Sequence, residues 1–246
     1  MSEIIQPEYN LTFKIASFDT DSADRIRLSA VLRYQQEIGG QHLGTIGLGW
    51  RELGGHGVAF VTSRWHTTIH RLPVLEETVT LTTWHRNCKG PRFYRCYEWR
   101  DADGALLIEG VMLFALVSVT DHRLLRSEDF KALAALPDVQ REVSCADPGR
   151  FAITATTAAG TYEVRWSDID RNGHMNNTRY ADLAWNFLPT AWQGREPSEI
   201  ELHFAKESLQ GDVISLYADV EGENTCCVAA DTDRGRTFAA KITFRP

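Results

Sequence analysis

Apolar and polar positions alternate along the chain with two different periods. Between residues 25 and 38 apolar side chains recur every three or four positions, which predicts an amphipathic helix that Gly39 and Gly40 should end. A short strand is expected near residues 12–17, before this helix. Four segments rich in β-branched residues with period-two alternation follow the helix and predict strands at 58–69, 77–86, 92–100 and 105–118.

The second half of the chain repeats this order of elements. A strand is predicted at residues 160–166 and a helix at 177–192, followed by strands at 199–205, 212–220, 225–230 and 237–244. Between the halves, Leu136-Pro137 and the run at 147–149 break the pattern. We therefore expect an N-terminal repeat at 1–135, a linker at 136–155 and a C-terminal repeat at 156–246.

A direct comparison of the two halves supports this repetition. An offset of 149 residues pairs Asp19 with Asp168 and Asp21 with Asp170, in the connection before each helix. A long helix packed on a curled antiparallel sheet is the α+β arrangement of a hotdog fold. Two units predict a tandem, or double, hotdog that forms internally the pair that single units form by dimerising. Whether the chain is a monomer or a homodimer stays open.

Composition and charge narrow the class of protein. The formal net charge of −7 argues against nucleic acid as a partner. No apolar run is long enough for a membrane span and no signal or transit peptide precedes the first repeat, so we expect a cytoplasmic protein. Five cysteines without framework spacing indicate reduced thiols. The sequence has no metal-binding or nucleotide-binding motif, so we expect no cofactor and no metal.

Short polar side chains are concentrated before the second helix. Asp170, Asn172 and His174 occupy alternate positions, and in an extended segment such side chains project to one side and converge. A carboxylate or an imidazole can activate water, and the free amides of residues 175–177 can stabilise an oxyanion, as thioester hydrolysis requires. Helix capping is the alternative explanation for the asparagines at the helix start. Without a nucleophile elbow or a clustered cysteine, a covalent acyl-enzyme is not indicated.

Two further polar residues lie in the next predicted strand and turn. Glu207 is either a second carboxylate brought to the site across the sheet or a solvated turn residue, and the pattern alone favours the solvated residue. His203 is a single histidine on a strand, for which a structural role is favoured.

The run at residues 168–177 is similar to the signature Asp-x-Asp-x-Asn-x-His-x-Asn-Asn of the acyl-acyl carrier protein thioesterases of plant plastids and their bacterial relatives. Those proteins are tandem hotdogs. The first half also resembles their N-terminal repeat, notably at residues 23–25, 50–53 and 82–84. The resemblance implies hydrolysis of fatty acyl-acyl carrier protein to free fatty acid, with acyl carrier protein and its phosphopantetheine-linked acyl chain as the partner.

The resemblance also implies residue roles. Asp170, Asn172 and His174 match the active-site residues of the family, and Glu207 matches a glutamate held to be catalytic in plant members. Ser208 replaces the cysteine that follows this glutamate, which favours carboxylate-assisted attack by water. Which group takes the proton of the water stays open.

In the first repeat, Ala23 and Arg25 stand where the signature has Asn and His. We expect that this half is not catalytic and that it shapes the acyl pocket. The sequence of segments 59–61 and 111–117 differs from that of plant members of the family, and we expect both segments to border the acyl chain. An acyl-coenzyme A thioesterase, a dehydratase and a non-catalytic acyl-binding protein remain alternatives on the same fold.

Overall fold

A computed structural model of the chain describes residues 6–131, 133, 139, 141 and 143–246. The elements of the first repeat are β1 (Glu8–Lys14), α1 (Leu28–Gly44), α2 (Trp50–Gly55), β2 (Val58–Ile69), β3 (Thr78–Lys89), β4 (Arg92–Asp101), β5 (Leu106–Ser118) and α3 (Ser127–Lys131). Those of the second repeat are β6 (Ala158–Glu163), α4 (Asn177–Asn186), α5 (Thr190–Gln193), β7 (Pro197–Phe204), β8 (Val213–Glu221), β9 (Thr225–Thr232) and β10 (Gly235–Phe244). The predicted order of strands and long helices is confirmed.

The prediction that Gly39 and Gly40 end the first helix is wrong, because α1 continues to Gly44. A Cβ on Gly40 would lie 2.5 Å from the indole nitrogen of Trp50, and one on Gly39 would lie 3.3 Å from the side chain of Arg95. Both glycines therefore allow other groups to pack closely against α1. Their capping role was inferred from local sequence, which does not report such contacts.

Two other boundaries differ from the prediction. Strand β1 lies closer to the N-terminus than 12–17, because residues Ser17–Asp19 form a 3₁₀ turn. The helix predicted at 177–192 is interrupted, since α4 ends at Asn186 and Pro189 precedes α5. Proline has no backbone N–H for a helix interior, which explains the break.

In the described part of the chain, ten strands form one antiparallel sheet in the order β1-β3-β4-β5-β2-β7-β10-β9-β8-β6. The two halves have equivalent orders when followed outward from the centre. The central strands β2 and β7 pair directly, with Arg64 opposite His203 and Thr68 opposite Glu199. Helices α1 and α4 contact each other and pack on the apolar face of the sheet. This is the predicted double hotdog.

The two faces of the central strands have different surroundings. Trp65, Ile200 and Leu202 belong to the apolar core that includes the helices. On the other face, the His66 ring contacts the Ala146 carbonyl in the described part of the predicted linker. Leu136-Pro137 of that linker lies outside the described residues. Within the described residues, no helix is both long and apolar enough to cross a bilayer.

Candidate active site

Residues 170–174 form a tight turn and not the extended segment predicted from their alternation. The Asp170 N–H donates to the His174 carbonyl at 3.0 Å, and the Asn172 N–H donates to Asp170 Oδ1 at 2.8 Å. Gly173 has a φ of 84°, which glycine adopts without strain. The turn places His174 Nδ1 4.0 Å from Asp170 Oδ1 and leaves Asn172 exposed.

Asp168 is buried immediately before this turn and holds it in place. Its carboxylate accepts hydrogen bonds from the Tyr162 hydroxyl at 2.7 Å, the Arg165 N–H at 2.9 Å and the Arg179 Nε at 2.9 Å. Burial raises the pKa of Asp168, but these donors outweigh burial and the net pKa is lowered. Asp168 thus joins the end of β6 to α4 through its carboxylate.

The start of α4 supplies fewer free amides than the sequence suggested. The Met175 N–H donates to the Ser208 carbonyl at 2.8 Å, and the Asn176 N–H donates to the Asp168 carbonyl at 2.9 Å. The Asn176 side chain caps the helix by accepting another first-turn N–H, so the capping explanation holds for this residue. Of the amides at 175–177, only that of Asn177 has no hydrogen-bond partner among the described residues.

Glu207 reaches the turn from the loop that follows β7. The hydrogen bond between Met175 and Ser208 attaches this loop to the start of α4. Glu207 Oε1 then lies 3.7 Å from His174 Nε2, which is within ion-pair distance but beyond a hydrogen bond. His174 therefore lies between two carboxylates, with Asp170 on the Nδ1 side. The Glu207 side chain is 57% exposed, whereas that of His174 is 22% exposed.

The contacts of Ser208 and His203 indicate structural roles for both residues. Ser208 is fully buried, and its Oγ accepts a hydrogen bond from the Tyr180 hydroxyl at 2.9 Å. The ring of His203 packs at a tilt of 37° against Phe151, with centroids 4.1 Å apart. Burial and nearby Arg64 lower the pKa of His203 to about 4. Among the described residues, no group of three or more His, Cys, Asp or Glu side chains is placed to hold a metal ion.

An apolar cavity lies in the first repeat, and one of its lining residues contacts the turn. Its lining includes Leu43, Leu48, Leu53, Phe60, Phe93 and Phe114. Trp50 also lines the cavity and is 43% exposed, and the Arg171 guanidinium carbon lies 5.8 Å from the centre of the Trp50 ring. The cavity measures about 50 Å³, which is room for only a few water-sized groups. The contact between Arg171 and Trp50 could not be predicted from the sequence, because nothing local links residues so far apart.

Comparisons with known proteins cover nearly the whole chain. The family models described as acyl-ACP thioesterase N-terminal domain and C-terminal domain match residues 6–131 and 153–245. A chloroplastic dodecanoyl-[acyl-carrier-protein] hydrolase of Umbellularia californica is 23% identical over an alignment of 237 residues, and the alignment covers 87% of this chain and 60% of that protein. A similar hydrolase of Cinnamomum camphora is 22% identical with the same coverage. The chain thus spans about 60% of the length of these curated relatives.

Solved structures support the fold. An acyl-ACP thioesterase from Bacteroides thetaiotaomicron superimposes with a TM-score of 0.88 at 21% identity, covering 97% of this chain and 98% of that chain. A 12:0-ACP thioesterase from Umbellularia californica gives 0.78 at 21% identity, covering 99% of each chain. At this level of identity the likeness establishes the double hotdog architecture.

Proposed function

The chain belongs to the acyl-ACP thioesterase family, and from that premise we propose that it hydrolyses the thioester of fatty acyl-acyl carrier protein and releases the free fatty acid. The observation that carries this proposal is the position of His174 between Asp170 and Glu207 at the start of α4. The partner is acyl carrier protein with its phosphopantetheine-linked acyl chain.

The geometry suits attack by water. Glu207 or His174 takes a proton from a water molecule while the water oxygen bonds to the carbonyl carbon of the thioester. The π electrons of the carbonyl group move onto the carbonyl oxygen, which becomes the oxyanion. Collapse of this intermediate breaks the carbon–sulfur bond, and the proton passes to the leaving thiolate. Asp170 orients the imidazole of His174 and closes the turn through the Asn172 N–H. The exposed amide side chain of Asn172 contacts the substrate or the water.

The free N–H of Asn177 is the proposed donor to the oxyanion. It lies at the N-terminus of the ten-residue helix α4, where the helix dipole also favours negative charge. Ser208 is not a nucleophile in this scheme, because its hydroxyl oxygen is buried and engaged by Tyr180. These surroundings favour direct hydrolysis over an acyl-enzyme.

The first repeat supplies the proposed acyl pocket. The apolar cavity beside Trp50 is the proposed lining for an acyl chain leaving the turn, because Arg171 of the turn contacts the Trp50 ring. A chain longer than a few methylene groups must displace side chains of the present lining, and half-exposed Trp50 is the one best placed to move. Phe60 and Phe114 belong to the two strands that depart from plant members.

Substitution of the three ionisable residues tests the proposal. Asp170→Asn, His174→Ala and Glu207→Gln are each expected to lower turnover of dodecanoyl-acyl carrier protein at least about tenfold, or about 1.4 kcal/mol of transition-state stabilisation. Glu223→Gln, which makes the same change in an exposed turn, is the matched control. Full activity in all three variants, with the fold intact by circular dichroism, would instead support a non-catalytic acyl-binding protein.

The identity of the carrier needs a separate measurement. The same acyl chain is presented on acyl carrier protein and on coenzyme A, and kcat/KM is compared. We expect the acyl carrier protein ester to be the better substrate. Equal or faster turnover of the coenzyme A ester would overturn the carrier assignment, and formation of an enoyl product from a 3-hydroxyacyl ester would identify a dehydratase.

A further inference from the structure

A second cavity lies where the fold repeats the surroundings of the candidate active site. It has a volume of about 360 Å³, within the range of small-molecule sites, and it lies between the turn at 21–25 and helix α4. Its lining includes Asp21, Arg25, Ser29, Leu72, Arg179 and Trp185. The offset of 149 residues that relates the repeats places this turn in the position of the turn at 170–174.

The backbone of the two turns is equivalent. The Asp21 N–H donates to the Arg25 carbonyl at 2.8 Å, as Asp170 does to His174 at 3.0 Å. The side chains differ, because the Arg25 guanidinium binds the Asp21 carboxylate through Nε at 3.2 Å and Nη2 at 3.1 Å. A permanent cation replaces the imidazole, so this copy lacks the acid–base group that the proposed hydrolysis uses.

Polar groups in this cavity lack partners. Ser29 is only 3% exposed, and its hydroxyl has no hydrogen bond among the described residues, although the residue lines the cavity. The backbone N–H groups of Leu28 and Ser29 also have no partner in that part of the chain. They begin the 17-residue helix α1, and Arg27 at its N-cap makes no side-chain cap. A buried hydroxyl and two helix amides together favour an oxyanion.

The charges of the lining agree with a single anionic group. Arg25 pairs with Asp21, and Arg179 pairs with Asp168 and Asp182, so Arg27 is the cation of the lining that has no carboxylate partner among the described residues. Arg179 is shared between Asp168 and Asp182, at 2.9 Å and 3.1 Å.

Most of the remaining lining is apolar, and Asn186 adds one polar amide. The apolar residues are Ile26, Leu28, Leu72, Ala181, Trp185 and Pro197. A ligand that fills the cavity therefore combines one oxyanion with a hydrocarbon part. A free phosphate satisfies only the first requirement.

We propose that this cavity is a second, non-catalytic site for a free fatty acid, with the carboxylate at Arg25, Ser29 and the α1 amides and the hydrocarbon chain along Leu72 and Trp185. The choice of fatty acid rests on the proposed function, because this molecule is the product of the reaction. The juxtaposition of an unpaired buried hydroxyl, a helix N-terminus and an apolar wall is independent of that function.

Photoaffinity labelling of the full chain tests the proposal. The probe is dodecanoic acid with a diazirine near the carboxyl end, and mass spectrometry locates the label. We expect one labelled region at the candidate active site and a second in peptides that contain residues 25–29 or 179–186. Arg25→Gln should reduce label in the second region at least about fivefold, because a charge-assisted hydrogen bond is lost, and leave the first region unchanged.

Controls separate recognition from loss of the fold. Ser29→Ala keeps the ion pair of Arg25 with Asp21 and should also reduce the second label, whereas Arg51→Gln changes an exposed arginine of α2 and should not. Label confined to the active site, or a second label unaffected by both cavity variants, would overturn the proposal. Equal displacement of the second label by inorganic phosphate would show recognition of an oxyanion alone and would also overturn it.

The experiment measures binding and not turnover. A second label in a protein that does not hydrolyse acyl-acyl carrier protein would preserve the inference and reject the proposed function. Hydrolysis of acyl-acyl carrier protein without a second label would preserve the proposed function and reject the second site.

Discussion

At the scale of single residues, the equivalent turns at 21–25 and 170–174 differ in their last side chain, which is Arg25 in the first repeat and His174 in the second. His174 lies 4.0 Å from Asp170 and 3.7 Å from Glu207, and its imidazole is an acid–base group of the proposed reaction. Arg25 at the equivalent position neutralises Asp21 through two hydrogen bonds and stays charged. This difference gives a physical reason for expecting chemistry in only one of the two repeats.

The Tyr180–Ser208 hydrogen bond gives a prediction about stability. Ser208→Ala should lower the free energy of unfolding by about 1 kcal/mol, because the buried Tyr180 hydroxyl loses its acceptor. Urea denaturation measures this change. Tyr180→Phe removes the other partner, and in the double variant the two losses should not add.

The same variant tests the role of Ser208 in the reaction. Turnover by Ser208→Ala should remain within about threefold of the wild type, since the hydroxyl is not the nucleophile of the proposed mechanism. A loss of about a thousandfold with an intact fold would require covalent catalysis by Ser208.

A buried histidine links stability to pH. His66 is 4% exposed, and its ring nitrogens Nδ1 and Nε2 face the Ala146 carbonyl at 2.8 Å and Glu199 Oε1 at 2.5 Å. Burial lowers the pKa of His66, but interactions with Cys145, Glu199 and the Ala146 carbonyl raise it more, to about 10. Because two acceptors face the two ring nitrogens, the folded protein holds the imidazolium form.

The pKa of His66 is higher in the folded chain than the usual 6.5, so its stabilising contribution is full below pH 6.5 and is lost as pH rises toward 10. His66→Gln should therefore cost roughly 1–3 kcal/mol at pH 6 and less at pH 10. Urea unfolding of both proteins across this range measures the difference. His56→Gln, at an exposed position, is the control, and a cost at His66 that does not change with pH would contradict the assignment.

At the scale of elements, helix α1 shows how packing overrides local preference. Glycine ordinarily weakens a helix interior, yet α1 contains Gly39 and Gly40 and continues to Gly44. Gly40 lies against the Trp50 indole, so α2 can pack closely against α1 at the edge of the apolar cavity. The position of Trp50 thus depends on the absence of a side chain at residue 40.

Alanine substitutions in α1 test this explanation. Gly40→Ala should destabilise the protein by roughly 1–3 kcal/mol, because the new Cβ would lie 2.5 Å from the Trp50 indole nitrogen and the indole would have to leave its present packing. Gly44→Ala is the matched control, since a Cβ at this position would have nothing within 4 Å and the change should not destabilise the protein. Thermal unfolding measures both. Stabilisation by Gly40→Ala would contradict the packing role.

At the scale of the whole molecule, the two repeats form one sheet. The register of β2 and β7 runs from the pair of Arg64 and His203 to the pair of Thr68 and Glu199. Near the end of the second repeat, Arg245 Nη2 donates to the Ile69 carbonyl at 3.0 Å, which ties it to the end of β2. Separation of the repeats would expose the backbone edges of both central strands.

We therefore expect a single cooperative unfolding transition for the full chain. Differential scanning calorimetry should give equal calorimetric and van't Hoff enthalpies, because neither repeat keeps a covered sheet edge alone. Fluorescence of the tryptophans and far-ultraviolet circular dichroism should report the same midpoint. Two resolved transitions would show that the repeats are independently stable.

The sequence by itself determined the features that depend on local pattern. Strand β2 was predicted at its observed bounds, and α4 was predicted to begin at residue 177, because alternation and capping residues act over a few positions. The polar cluster at Asp170, Asn172 and His174 was also evident from spacing and from the family resemblance. The prediction that this segment is extended was wrong, since Gly173 and the Asp170 side chain create a turn.

Only the tertiary structure decided which distant residues meet. Pattern alone favoured a solvated Glu207, and its side chain is 57% exposed, but the hydrogen bond from Met175 to the Ser208 carbonyl also brings its carboxylate 3.7 Å from His174. The contact of Arg171 with Trp50 and the second cavity beside Arg25 arise in the same way, from the pairing of β2 with β7 and the packing of α1 against α4. Such contacts depend on the geometry of the whole sheet, which no local spacing encodes.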